Sequence, residues 1–284
     1  MKNAKSIYIE EDNSITIIDD TDFDIQHILA CGQIFRYKKL DNAYIIYARD
    51  QKIEVYCQKG GFKIFAQNLN FVKKYFDLYN NYANIKSDLR KKNLTDAVIS
   101  YGHGIRILNQ DPFEMIISFI ISANNNIPRI KGIIERLCDK VGTNMGEFRA
   151  FPTVEQMSKL TEDDYKNLGC GYRSNYLFNT VRQIKDGFDL DNIAKLDTDE
   201  ARAELMKLKG VGRKVADCIL LFGYHKTDVF PTDTWIVKAY KDEYGEEKSA
   251  EFVSNYYKKL FDVNSGYAQQ YMYYEKMNNR GDKK

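Results

Sequence analysis

The chain has 284 residues, 44% hydrophobic and 29% charged, which suffices for about two domains with real cores. Forty-two Lys and Arg against 40 Asp and Glu leave a formal charge of +2, so bulk charge neither favours nor excludes nucleic acid, and any binding face must come from clustering. The longest apolar run, residues 113–123, holds Glu114 and two serines and is too short to span a bilayer, so no membrane association is expected.

The opening stretch MKNAKSIYIEEDN lacks a signal-peptide core, which makes an intracellular protein the expectation. Six short runs then alternate aromatic or β-branched residues with polar ones: SIYIEED, SITIID, QIFRYKK, AYIIYAR, KIEVYCQ and GFKIFAQ. Breakers such as Asp-Asn and Lys-Gly-Gly separate them, and the first hundred residues read as antiparallel β. From Asn70 the apolar spacing changes to three and four, starting with VKKYFDLYNNY, and a helix is expected near 70–92. The reading is α+β: an N-terminal antiparallel β-sheet domain over residues 1–105, then a two-part helical region over 106–284.

Within the helical region, Asp197-Thr-Asp-Glu200 has capping-box spacing and starts a helix, ARAELMKL. LKGVG ends it, and another helix begins near Arg213, so residues 198–223 have the form of a helix-hairpin-helix. Glycines there let backbone approach a phosphate, and the unpaired N–H groups opening the second helix face it. An ordinary helix–turn–helix corner with glycine caps explains GVG equally well.

Lys214 stands in the first turn of that second helix, just ahead of an apolar run. A lysine of ordinary pKa, ~10.4, is neutral only about once in 2,500 at pH 7, so a nucleophilic amine needs desolvation and the positive end of a helix dipole to disfavour its charge. Nineteen residues on, VFPTDTW places Asp233 just before the next helix (233 − 214 = 19). A snorkelling lysine and a helix-capping aspartate are the plain alternatives. Together, however, an amine and a carboxylate are the equipment for attacking C1′ of a nucleoside, expelling the base and forming a Schiff base.

LKGVGRKVADC followed by VFPTD resembles the helix-hairpin-helix DNA glycosylases, and more narrowly the 8-oxoguanine DNA glycosylase/lyase family. CGQIFRY (31–37), DPFEMIISFIISANNNIPRI (111–130), LGCGYRSNYL (168–177) and SGYAQQYMYY (265–274) agree in order and spacing. The resemblance implies a bifunctional enzyme excising 8-oxoguanine from double-stranded DNA, with Lys214 as Schiff-base nucleophile and Asp233 as catalytic aspartate. The scattered cysteines, none in CxxC spacing, set the chain apart from the iron–sulfur relatives, and Lys214 from the alkylbase relatives.

By the same resemblance, Gly32 supplies the carbonyl that accepts from N7–H of the lesion, where normal guanine has an acceptor. Cys218 and Tyr273, the latter in place of the usual phenylalanine, sandwich the base, and Gln269 reads its pairing edge, on a C-terminal helix that completes the pocket. Asn124 fills the vacated stack and Tyr172 wedges beside the orphan base, which Arg129 and Arg173 hydrogen-bond as cytosine. Gly210 and Gly212 meet phosphate, with Lys209 and Arg213 adding charge, and the hairpin is a possible site for a structural cation. Trp235 stands where the family usually has a phosphate-binding histidine. No catalytic metal or other cofactor is required, and the three histidines show no metal-site spacing. A monomer is expected, cytoplasmic and nucleoid-associated in a prokaryote or nuclear in a eukaryote. The alternatives are a same-fold glycosylase for other damaged purines and a non-catalytic helix-hairpin-helix DNA binder, which would need neither Lys214 nor Asp233.

Overall fold

The computed structural model describes residues 7–278. Each of the six β-type runs contributes one strand: β1 Tyr8–Glu11, β2 Ser14–Ile17, β3 Tyr37–Lys39, β4 Ala43–Ala48, β5 Gln51–Gln58 and β6 Gly61–Phe65. They form one sheet in the order β1-β2-β6-β5-β4-β3, with every pairing antiparallel. Alternation places Ile15, Ile17, Ile46, Ile53, Val55 and Ile64 on one buried face, as a half-buried sheet requires.

That face is covered by two helices. Leu69–Tyr75 matches the first part of the expected helix; Ile25–Ala30 is an addition, since the reading has only strands before residue 70. Its signal was present: Asp24 accepts from the Gln26 and His27 amides at 2.8 and 3.1 Å, and Ile25, Ile28 and Leu29 make an inward stripe. The run QIFRYKK is strand only in its last three residues; Gln33–Arg36 leave the sheet toward the helical region.

The helix anticipated near 70–92 is broken. Asp77 is left-handed, with φ 53°, and separates Leu69–Tyr75 from Tyr82–Lys91. Arg106, fully buried, fills the break by donating to the carbonyls of Phe76 (2.8 Å), Asp22 (2.8 Å) and Asn80 (3.1 Å) and by stacking over the Tyr82 ring. Gaps in a helix expose carbonyls, and a guanidinium with five donors closes this one.

The apolar run at 113–123 becomes Pro112–Ser122, buried along most of its length and packed against Arg213–Gly223; Phe119 and Phe222 stack at 5.6 Å. No described helix is long and apolar enough to cross a membrane. The hairpin helices are Thr198–Leu205 and Arg213–Gly223, the first starting three residues earlier than ARAELMKL suggested. Asp197 caps it through the Asp199 and Glu200 amides, at 3.0 and 2.9 Å. Arg202 and Asp217 join the two helices at 2.5 Å, the aspartate being 1% exposed. Burial pushes the Asp217 carboxyl upward and Arg202 pulls it back.

Two stability predictions follow from buried charge. Removing one partner of a buried pair costs about 3–5 kcal/mol. Arg202→Met should therefore unfold at clearly lower denaturant than the wild type, and Arg202→Met/Asp217→Leu should recover much of the loss. Equal midpoints for the single and double variants would contradict the assignment. Glu114 is buried with only the Arg49 amide at 3.1 Å, and burial raises its carboxyl from 4.5 to about 7. The folded chain then holds this proton while the unfolded chain releases it, so stability falls as pH rises from 4.5 to about 7, by up to about 3 kcal/mol. Glu114→Gln should gain on the wild type across that window in thermal melts, with the difference level above it.

Candidate active site

Gly210 has φ +84° and lies where an added Cβ would come 2.7 Å from Tyr176, so no larger residue fits the hairpin turn. Gly212 opens the second hairpin helix with no side-chain cap, leaving its first amides to the surroundings. Lys214, the second residue of that helix, is half-buried, with Nζ 5.4 Å from the Phe119 ring centroid. Asp233 caps Thr234–Tyr244, and both the Trp235 and Ile236 amides donate to its Oδ1 at 3.0 Å.

Lys214 and Asp233 line one cleft of about 850 Å³, together with Gly32, Phe119, Asn124, Trp235 and Tyr273. Four helices begin at its wall: Ile127–Val141, Arg213–Gly223, Thr234–Tyr244 and Ala250–Phe261. Their N-terminal partial charges give a nearly neutral chain a positive concavity. A larger groove, about 1200 Å³, crosses the sheet near Lys52, Glu54 and Lys63, but its lysines are ion-paired to Glu54 and Glu11, and it has no lysine–aspartate pair at helix N-termini. Chemistry, not volume, marks the site.

Behind the cleft is a recess of about 40 Å³ walled by Cys31, Gly32, Lys214, Cys218, Asp233, Gln269, Gln270 and Tyr273. The six residues expected to handle the base and sugar thus converge from four separate stretches. The recess has room for only about three waters, with the Tyr273 ring as part of its wall. That ring lies against Gly32, whose added Cβ would sit 3.1 Å from Tyr273 Cε1, and Gly32 has φ +79°. Glycine is required here twice over, by backbone and by neighbour.

Gln33 fixes the Gly32 turn, and sequence reasoning missed it. Fully buried, it donates to the Ile28 and Arg106 carbonyls at 3.0 and 2.8 Å and accepts from the Leu108 amide at 2.8 Å. Cys218 is buried one helical turn past Lys214. Desolvation pushes its thiol up, while the Lys214 ammonium beside it pulls the other way. Gln269 is buried, and its Oε1 accepts from Gln270 Nε2 at 2.8 Å.

The residues expected to face the duplex lie along the cleft rim. The three asparagines divide the turn between two helices: Asn125 donates to the Ile121 carbonyl, Asn126 caps the next helix, and Asn124 is exposed with φ 48°. Tyr172 is 54% exposed. Arg129 is exposed and donates to the Gly169 carbonyl at 3.2 Å. Arg173 departs from the picture of a surface reader. It is 3% exposed, stacks on Tyr172 and donates to the carbonyls of Ala123 and Asn124, so it holds the asparagine turn. Arg213 is partly exposed, and its two terminal nitrogens donate to Glu251 and Asn255 at 2.9 and 2.7 Å.

Of the hairpin carbonyls, Lys207 accepts from Gln183, Lys209 from Thr180 and Leu208 from Val211, each using one of its two lone pairs. His27 and His103, 76 residues apart in sequence, are brought together by the fold, and with Asp24 they present ligand atoms within 4.8 Å of one another. Spacing in the chain gave no sign of that grouping.

A family model described as 8-oxoguanine DNA glycosylase, N-terminal domain, matches residues 15–116, and one described as HhH-GPD superfamily base excision DNA repair protein matches 117–263. The solved structure of the Clostridium acetobutylicum 8-oxoguanine glycosylase/lyase, in complex with dsDNA containing cytosine opposite 8-oxoG, superposes with a TM-score of 0.90 at 37% identity, covering 96% of this chain and 98% of that one. A probable N-glycosylase/DNA lyase of Methanothermobacter thermautotrophicus is 33% identical over 227 residues, 70% of this chain and 71% of its own length. The N-glycosylase/DNA lyase of Saccharomyces cerevisiae is 37% identical over 158 residues, 50% of this chain but 42% of that protein. With an antiparallel sheet, a glycine hairpin and a cleft walled by Lys214 and Asp233, the chain belongs to the HhH-GPD superfamily and, within it, to the 8-oxoguanine DNA glycosylase/lyases.

Proposed function

We propose that this chain excises 8-oxoguanine from duplex DNA and then cleaves the strand, using Lys214 as nucleophile. The observation that carries the reading is that Lys214 and Asp233, from two helix N-termini, wall both the open cleft and the recess behind it. A nucleotide turned out of the stack puts its base in the recess and its sugar between amine and carboxylate.

The neutral Lys214 amine attacks C1′. The C1′–N9 bond breaks with its electron pair leaving on the base, and the cationic sugar that develops is stabilised by Asp233. Because Oδ1 of Asp233 holds two amides, Oδ2 serves this role. Loss of the amine protons and ring opening give the Schiff base; removal of a 2′ proton then expels the 3′ phosphate by β-elimination. Gly32 supports lesion selection, its carbonyl accepting from N7–H of 8-oxoguanine and facing a lone pair in guanine.

Phosphates of the bent strand meet the hairpin amides around Gly210 and Gly212 and the helix N-termini at the cleft wall. Asn124 enters the gap in the stack, and Arg129 with Tyr172 stands nearest the orphan base. Arg173 contributes by fixing the turn and reaches cytosine only if its carbonyl bonds are exchanged.

Borohydride with an 8-oxoguanine·cytosine duplex should trap a covalent adduct that Lys214→Gln abolishes; a surviving adduct would place the nucleophile elsewhere. Asp233→Asn should slow single-turnover base release about 100-fold or more. Arginine at the rim predicts faster release opposite cytosine than opposite adenine, and equal rates would refute that role. Gly32→Ala should lose release of 8-oxoguanine out of proportion to its folding cost of about 1–2 kcal/mol, which a thermal melt measures separately.

A further inference from the structure

Gln270 stands in the recess without an assigned task. On the C-terminal helix, residues 266, 269, 270, 273 and 277 share one face by helical spacing. Two of them beyond Gln269 and Gln270 are Tyr273 and Met277, which line the cleft. Gln270 itself is 3% exposed and walls the recess beside Gly32, Lys214 and Asp233. Its Nε2 donates to Gln269 Oε1 at 2.8 Å, while its own Oε1 is buried with no hydrogen-bond partner. A buried carbonyl oxygen without a donor is costly, and a ligand N–H reaching it removes the cost.

The bond between the two glutamines has a second consequence. It holds the Gln269 amide in one orientation, oxygen toward Gln270, so that the neighbour's Nε2 donors are left for an acceptor on the base. Set side by side, the pair offers one donor group and two acceptor oxygens. The pairing edge of 8-oxoguanine offers the complement: the O6 acceptor, the N1–H donor and the exocyclic amino donor.

We propose that Gln270 reads the exocyclic 2-amino group, its Oε1 accepting from N2–H, while Gln269 takes O6 and N1–H. The inference rests on the reading of this recess as the 8-oxoguanine pocket. It assigns to Gln270 the discrimination between oxidised purines that carry the 2-amino group and those that lack it. A polar site built for an N–H rejects the analogue without it, because the acceptor is then buried unmatched.

The test compares single-turnover release of 8-oxoguanine and 8-oxohypoxanthine, which lacks only the 2-amino group, each opposite cytosine. Wild type should favour 8-oxoguanine by roughly 10- to 100-fold. Gln270→Met, of similar length without the acceptor, should erase most of that preference by slowing 8-oxoguanine release, with release of 8-oxohypoxanthine little changed. Equal wild-type rates on the two bases overturn the proposal without any variant being made, and so does a preference that persists in a folded Gln270→Met or Gln270→Ala protein. Release of neither base by folded wild type would instead sink the 8-oxoguanine reading, and this assignment with it.

Discussion

The site depends first on one buried amide. Gln33 sits between the turn after the helix Ile25–Ala30 and the segment 106–108, bonding the carbonyls of Ile28 and Arg106 and the amide of Leu108. Gln110 returns a bond to the Gln33 carbonyl at 2.8 Å. Each of these backbone groups is away from water, where a lost partner costs about 1–3 kcal/mol. The network therefore specifies a single position for the Gly32 turn. Just beyond it, Arg36 pairs with Glu135 and Phe35 packs edge-on to Phe119, tying the same segment to the helical half.

Helix starts supply most of what the cleft does. Lys214, Asp233 and the asparagine turn all lie at or next to helix N-termini. Unpaired amides there attract phosphate without surplus lysine. That is how a chain of formal charge +2 offers a DNA-facing concavity while many of its surface arginines and lysines are paired with acids. The same placement explains why Asp233 can cap a helix and face the cleft at once. Capping uses Oδ1, and Oδ2 takes neither amide.

The arginines show how burial redistributes work that sequence assigns by position. Arg106 closes a broken helix, Arg202 holds the hairpin through Asp217, and Arg173 holds the asparagine turn. A guanidinium is the side chain best able to satisfy several carbonyls or a buried carboxylate, so folds recruit it inside as readily as at a nucleic-acid surface. From a motif alone the two uses look identical.

Local pattern determined a good deal. Alternation gave the six strands, glycine and aspartate punctuation gave the hairpin and its caps, and the matched stretches gave Lys214, Asp233, Gly32, Cys218, Gln269 and Tyr273. Strands, hairpin and caps are properties of neighbours in the chain, where φ/ψ preference and side-chain period act directly, whereas the site residues came from the resemblance of whole stretches. Tertiary structure alone decided the rest: the break at Asp77, the inward turn of Arg173, the tie made by Gln33, the meeting of His27 with His103, and the unpartnered oxygen of Gln270. Whether a polar group finds a partner depends on what folds against it from far along the chain, and no local spacing records that.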